Sequence, residues 1–148
     1  MQDGPEGELP RSVFNAYPYQ VKRMTTAHNG VSAARNYGMD FSTADWVTFC
    51  DFDDMYLSAL SLKTALDAIQ EAEANGQVYI WNRFLEEGKS ENGYKVFHHA
   101  WDMTFVHGRF IKRKFLIDNY ISFNTSLSYG EDSDFNTICQ VIAGEKRI

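Results

Sequence analysis

Cysteine is scarce in this chain, with only Cys50 and Cys139 among 148 residues. They lie far apart in apolar surroundings, so the expectation is two reduced, buried thiols of a cytoplasmic protein rather than a disulfide framework. Basic residues are also in deficit. Fourteen Lys and Arg stand against twenty Asp and Glu, a net charge of −6, which argues against a nucleic-acid surface. It leaves room for a nucleotide, because a metal ion can supply the missing positive charge. Long apolar runs are absent too, and none approaches the roughly 20 residues of a transmembrane span. The opening Met1-Gln-Asp-Gly-Pro-Glu-Gly-Glu is acidic and rich in Gly and Pro, unlike a signal peptide. The chain shows neither an internal repeat nor a low-complexity segment.

What remains is ordinary globular material, 44% hydrophobic and 23% charged, with a length that suits one domain over residues 1–148. Its centre is Trp46-Val-Thr-Phe-Cys-Asp-Phe-Asp-Asp-Met-Tyr56. Apolar and β-branched residues run into Asp51, Asp53 and Asp54, which reads as a buried strand carrying acids at its C-terminal edge. Open α/β sheets place ligands at such edges. Alternate residues of an extended segment point the same way, so Asp51 and Asp53 converge, and close carboxylates repel unless protons or a cation neutralise them. Hard divalent cations such as Mg²⁺ and Mn²⁺ suit oxygen ligands and bridge them to phosphates. The competing reading is turn and cap chemistry, since Asp side chains accept backbone N–H bonds.

Along the chain, Tyr17–Met24 suits a short strand limited by Pro18. Asn29-Gly30 marks a turn, and Val31–Met39 a short helix with Ser32 near its start and Gly38 interrupting it. Arg35 on that helix can present a fixed cation to an anion. Leu57–Ala74 gives the clearest helix, with Leu57, Leu60, Leu62, Leu66 and Ile69 near 3.6-residue spacing and Asn75-Gly76 as its stop. Val78–Trp81 reads as a strand, Glu86–Tyr94 as a polar hairpin or loop, and Ile111–Ile117 as a strand followed by a short helix. Ser122–Tyr129 is a polar loop. Gly130-Glu-Asp-Ser-Asp-Phe135 opens a last helix carrying Phe135, Ile138 and Ile142, where acids in the first turn already have a plain explanation in the helix dipole. Strands and helices alternating in this way, with acids at strand ends, predict an α/β domain.

Three histidines, His98, His99 and His107, lack metal-ligand spacing and read as surface or half-buried hydrogen bonders, with His107 the best placed for a substrate contact. Trp81 and Trp101 suit core packing or stacking on a sugar or base. Lys112, Arg113 and Lys114 read as a solvated basic face that is also able to meet phosphate.

Several segments together resemble family 2 glycosyltransferases, inverting enzymes with the GT-A nucleotide-diphospho-sugar fold. Asn29-Gly-Val-Ser-Ala-Ala-Arg-Asn-Tyr-Gly38 is similar to the family's Asn-Gly…Ala-Arg-Asn…Gly pattern, and Phe49-Cys-Asp-Phe-Asp-Asp54 to its Asp-x-Asp strand end. Tyr129-Gly-Glu-Asp-Ser-Asp-Phe135 resembles the Glu-Asp motif that follows, and Met1-Gln-Asp-Gly4 the earlier Asp-Asp-Gly-Ser segment. The resemblance implies a mixed, mostly parallel sheet flanked by helices, incomplete here because the family's first strand and later helices have no counterpart. It implies Mn²⁺ or Mg²⁺ on Asp53 and Asp51, with Asp54 contributing to the same shell or capping the next segment. It further places Arg35 and Asp3 at the nucleotide, Asp132 as the catalytic base, and Glu131 as acceptor ligand or orienter of that base.

The implied partners are a nucleotide-diphosphate sugar and a carbohydrate or other hydroxyl acceptor, with neither nucleic acid nor a transmembrane segment, and a homo-oligomer paired through a sheet edge is compatible. Two further classes remain open. One is a catalytically silent binding domain on the same scaffold. The other is a nucleotidyltransferase or phosphohydrolase, which would release pyrophosphate or phosphate without a sugar acceptor.

Overall fold

A computed structural model describes residues 2–3, 21–22, 24–27, 29–51, 54–56, 58–81, 84–89, 92, 95–100 and 104–144. Two short strands, β1 (Gln2–Asp3) and β2 (Thr25–Thr26), pair in parallel. Helix α1 (Gly30–Phe41) follows, then β3 (Trp46–Val47), α2 (Ala59–Ala74), β4 (Tyr79–Trp81), the hairpin strands β5 (Phe84–Lys89) and β6 (Lys95–Ala100), β7 (Arg109–Lys112), α3 (Arg113–Asp118) and α4 (Glu131–Ala143).

The central sheet has the order β3-β7-β4, with β7 antiparallel to both neighbours. β5 and β6 are antiparallel as well, so the only parallel pair among the described residues is β1 with β2. Among the described residues the pairing is thus mainly antiparallel, where a mostly parallel sheet was expected. A late strand, β7, runs back between two earlier ones and reverses the pairing on both sides.

The pleat explains the two cores. Val47, Ile111 and Tyr79 stand in register across the sheet on one face and join Val106, Phe115, Leu116, Ile121, Phe123, Phe135, Cys139 and Ala143. On the opposite face Ile80 and Phe110 pack with Trp46 against Ala65, Ala72, Ala68 and Ile69 of α2. Alanines let that helix approach the sheet closely. The leucines expected to form its buried stripe, Leu60, Leu62 and Leu66, are instead exposed.

Helix ends follow the sequence signals. α2 stops at Asn75, with Gly76 at φ +68° and Gln77 N donating to Ala72 O at 2.8 Å. α1, by contrast, runs straight through Gly38 to Phe41. Its packing outweighs the roughly 1 kcal/mol that an interior glycine costs. Gly130, directly before α4, has φ +78°, where an added Cβ meets nothing within 4 Å. The requirement for glycine there is therefore conformational, worth about 1–2 kcal/mol. Cys139 is buried as expected, and burial pushes its thiol up to about 12 against the opposing charge of Arg109. Cys50 is exposed, which corrects the expectation that both thiols are buried.

The basic run at 112–114 is spent on local partners. Lys112 Nζ lies 3.4 Å from Glu73 Oε1, Arg113 Nε donates to Ser42 Oγ at 3.0 Å, and Lys114 Nζ pairs with Asp118 at 2.8 Å. The hairpin expected around Glu86–Tyr94 is present as β5 and β6, with Glu86–Lys89 inside the first strand rather than in the turn. Pro18, Trp101 and the side chains of Trp81, His98 and His99 lie outside the described residues.

Candidate active site

The β3–β7 ladder ends at Val47, and the next rungs of β7, Phe110 and Arg109, pair with β4 alone. Residues 48–51 therefore leave the sheet and carry Asp51 away from it. Asp54 N then donates to Asp51 O at 3.1 Å, a turn that folds Asp54 back beside Asp51. Strand alternation had singled out Asp53 as the companion of Asp51. Asp53 lies outside the described residues, and the turn brings Asp54 into the cluster.

From the opposite side comes His107. α4 fixes the segment that carries it: Asn136 Nδ2 donates to Thr104 O at 2.8 Å and to Phe105 O at 2.9 Å, while Val106 N donates to Asp132 Oδ2 at 3.1 Å. Tyr79 Oη donates to Asn136 Oδ1 at 3.1 Å from within the core. The His107 ring stacks on Phe105 at 5.0 Å, and its Nδ1 lies 3.5 Å from Asp54 Oδ2. One ligand atom from each of Asp51, Asp54 and His107 falls within 4.8 Å of the others. Two carboxylate oxygens and an imidazole nitrogen fit Mn²⁺ well and Mg²⁺ less well, since the latter prefers an all-oxygen shell. His107 is the candidate ligand that spacing in the sequence could not reveal. The contact joins positions 54 and 107, beside Gly108 at φ +69°.

The second carboxylate group opens α4. Glu131, Asp132 and Asp134 fill its first turn, where acids complement the helix dipole, and the first two also meet Arg35 across the site. Asp132 Oδ1 and Glu131 Oε1 both face Arg35 Nη1, the latter at 3.2 Å, and Arg35 Nη2 is shared by both Asp51 oxygens at 2.9 and 3.1 Å. Arg35 thus stands between the two acid groups. Burial pushes the Asp132 carboxyl above the usual carboxylate range, opposed by the Arg35 guanidinium and the Val106 amide, and the adjoining Glu131 adds to the rise.

Asn36, next to Arg35, grips the chain opposite: its Nδ2 donates to Phe123 O and its Oδ1 accepts from Phe123 N, both at 2.8 Å. This reciprocal pair explains the Asn of the Ala-Arg-Asn segment. A cleft of about 640 Å³ opens alongside, lined by Val31, Arg35, Met39, Trp46, Phe49 and Asp51 among others, and it is within the size range of small-ligand sites. Asp3 is placed in β1, paired with Thr26, and its side chain lies outside the described residues.

The chain belongs to glycosyl transferase family 2, whose family model matches residues 7–130. Arg35, Asp51, Asp54 and His107 lie inside that match, and Glu131 and Asp132 directly follow it. Membership carries a GT-A-like fold and makes the chain a glycosyltransferase by class. A search of curated proteins finds no match. Among the described residues no helix is long and apolar enough to cross a membrane.

Proposed function

We infer that the chain catalyses metal-dependent, inverting transfer of a sugar from a nucleotide-diphosphate donor to an acceptor hydroxyl. The observation that carries this reading is the division of the acids into two groups. Asp51, Asp54 and His107 converge as a cation site beside the cleft, and the half-buried Asp132 sits apart with a raised affinity for protons. Inverting transfer asks for that division. Asp51, Asp54 and His107 would hold a cation, Mn²⁺ by the donor set, that would supply positive charge at the departing diphosphate, while Asp132 would take the hydroxyl proton as the oxygen attacks the opposite face of the sugar.

Asp51, Asp54 and His107 would hold the cation, with Asp53 as a further ligand. The apolar side of the cleft, Val31, Met39, Trp46 and Phe49, suits a nucleoside. Asp132 meets Arg35, Val106 N and Glu131, three contacts against the roughly four lone-pair sites of a carboxylate, which leaves it able to accept a proton. Glu131 stands beside it to orient the acceptor.

The test is transfer from a panel of nucleotide-diphosphate sugars to hydroxyl acceptors with Mn²⁺ present, reading the anomeric configuration of the product. Inverted product is expected, and His107→Ala should weaken Mn²⁺ binding by about tenfold or more, at least the effect of losing an outer partner of a metal ligand. Retained configuration would contradict the mechanism. A folded chain that neither transfers sugar nor binds nucleotide would point to the silent scaffold, and release of phosphate without an acceptor to a hydrolase.

A further inference from the structure

Arg35 faces more negative charge than one cation neutralises. Its side chain is only 9% exposed, with both Asp51 oxygens on Nη2 and with Glu131 and Asp132 on Nη1. The guanidinium carbon lies 5.2 Å from the centroid of the Phe123 ring, and Asn36 clamps the backbone of that same phenylalanine. The arginine is therefore seated from below and bracketed from both sides.

Asp51, Glu131 and Asp132 all reach one guanidinium, and without that fixed cation the facing acid groups would repel unless a proton or a metal ion came between them. A divalent ion bound there would bridge Asp51 to Asp132 and occupy the lone pairs that a base needs. We propose that Arg35 is a positioning residue, a built-in cation that confines a divalent ion to the Asp51–Asp54–His107 side and keeps it off Asp132. This rests on the cation and base roles inferred above, and it gives Arg35 a task other than direct contact with donor phosphate. Arginine suits the task because its planar fork serves two carboxylate groups at once, where a lysine ammonium would serve one.

Calorimetric titration of the full chain with Mn²⁺ alone, without nucleotide, tests it. In the native background Asp132→Asn is expected to change Mn²⁺ affinity by less than about threefold, since Asp132 is screened from the ion. Arg35→Gln is expected to take up Mn²⁺ about tenfold more tightly or to bind a second ion, and adding Asp132→Asn should remove that gain. Arg35→Lys should show a smaller gain. Unchanged or weaker Mn²⁺ binding by folded Arg35→Gln would overturn the proposal. So would a loss of more than about tenfold from Asp132→Asn alone, a comparison that stands even if Arg35→Gln does not fold. A native chain that binds no Mn²⁺, beside an Arg35→Gln form that binds it through Asp132, would uphold the partition and remove the cation role given to Asp51, Asp54 and His107.

Discussion

Asp132→Asn is expected to lower glycosyl transfer by about 10²–10⁴-fold, the range of a positioned general base, while nucleotide-diphosphate affinity stays within about threefold. Asn is nearly isosteric and can still accept the Val106 N–H, so the 104–107 segment keeps its anchor. What disappears is the carboxylate proposed to take the acceptor proton. The native pH profile carries the same signature. Burial raises the Asp132 pKa, and only the ionised form accepts a proton, so transfer falls as pH drops through that raised value. The effect on stability has the opposite sense. Native Asp132 binds a proton more readily than unfolded Asp132, so its contribution is fully present below the unfolded pKa and is lost as pH rises through the native one. Both the acid limb of the rate profile and this stability slope should vanish in the Asn variant. Transfer that survives the substitution would assign the base elsewhere.

Phe135→Ala is expected to cost about 3–5 kcal/mol of stability, measured by urea unfolding. Phe135 is fully buried, stacks on Phe123 at 4.0 Å with the planes 5° apart, and takes Phe49 edge-on at 6.0 Å. Phe123 also lies beneath Arg35, and α4 bears both Phe135 and Asp132 one turn apart. The loss therefore undermines the site as well as the core. Val141 on the same helix is 75% exposed, and Val141→Ala should stay within about 0.5 kcal/mol. A cost below about 1 kcal/mol for Phe135→Ala would show that the aromatic stack is not a main support of the fold.

Local signals in the sequence carried much of the architecture. Asn75-Gly76 ends α2, Gly130 precedes α4, and the strand-then-helix reading of 111–117 matches β7 and α3 closely. These features depend on neighbours along the chain, where periodicity and turn chemistry speak directly. Tertiary choices were not legible in the same way. Apolar spacing could not distinguish the leucines of α2, left exposed, from the alanines that touch the sheet, because the closeness of the sheet decides it. Nor could spacing foresee that β7 inserts between β3 and β4 and pairs antiparallel with each.

The site divides along the same line. The acid strand end, the Ala-Arg-Asn helix and the Glu-Asp pair were visible as segments, and the structure brings Arg35, Asp51, Glu131 and Asp132 into contact. The recruitment of Asp54 by a turn, and of His107 by Asn136 and Asp132, depends on contacts between distant segments that spacing does not encode. The engagement of Arg35 by three carboxylates is of that kind too.

Calorimetric titration of the chain with UDP and with GDP, each with and without Mn²⁺, tests the central claim most directly. The expected result is saturable binding of one nucleotide diphosphate that requires the metal and is lost in Asp54→Ala. Binding that is indifferent to Mn²⁺, or a folded chain that binds neither nucleotide, would contradict a cation-dependent donor site at Asp51, Asp54 and His107.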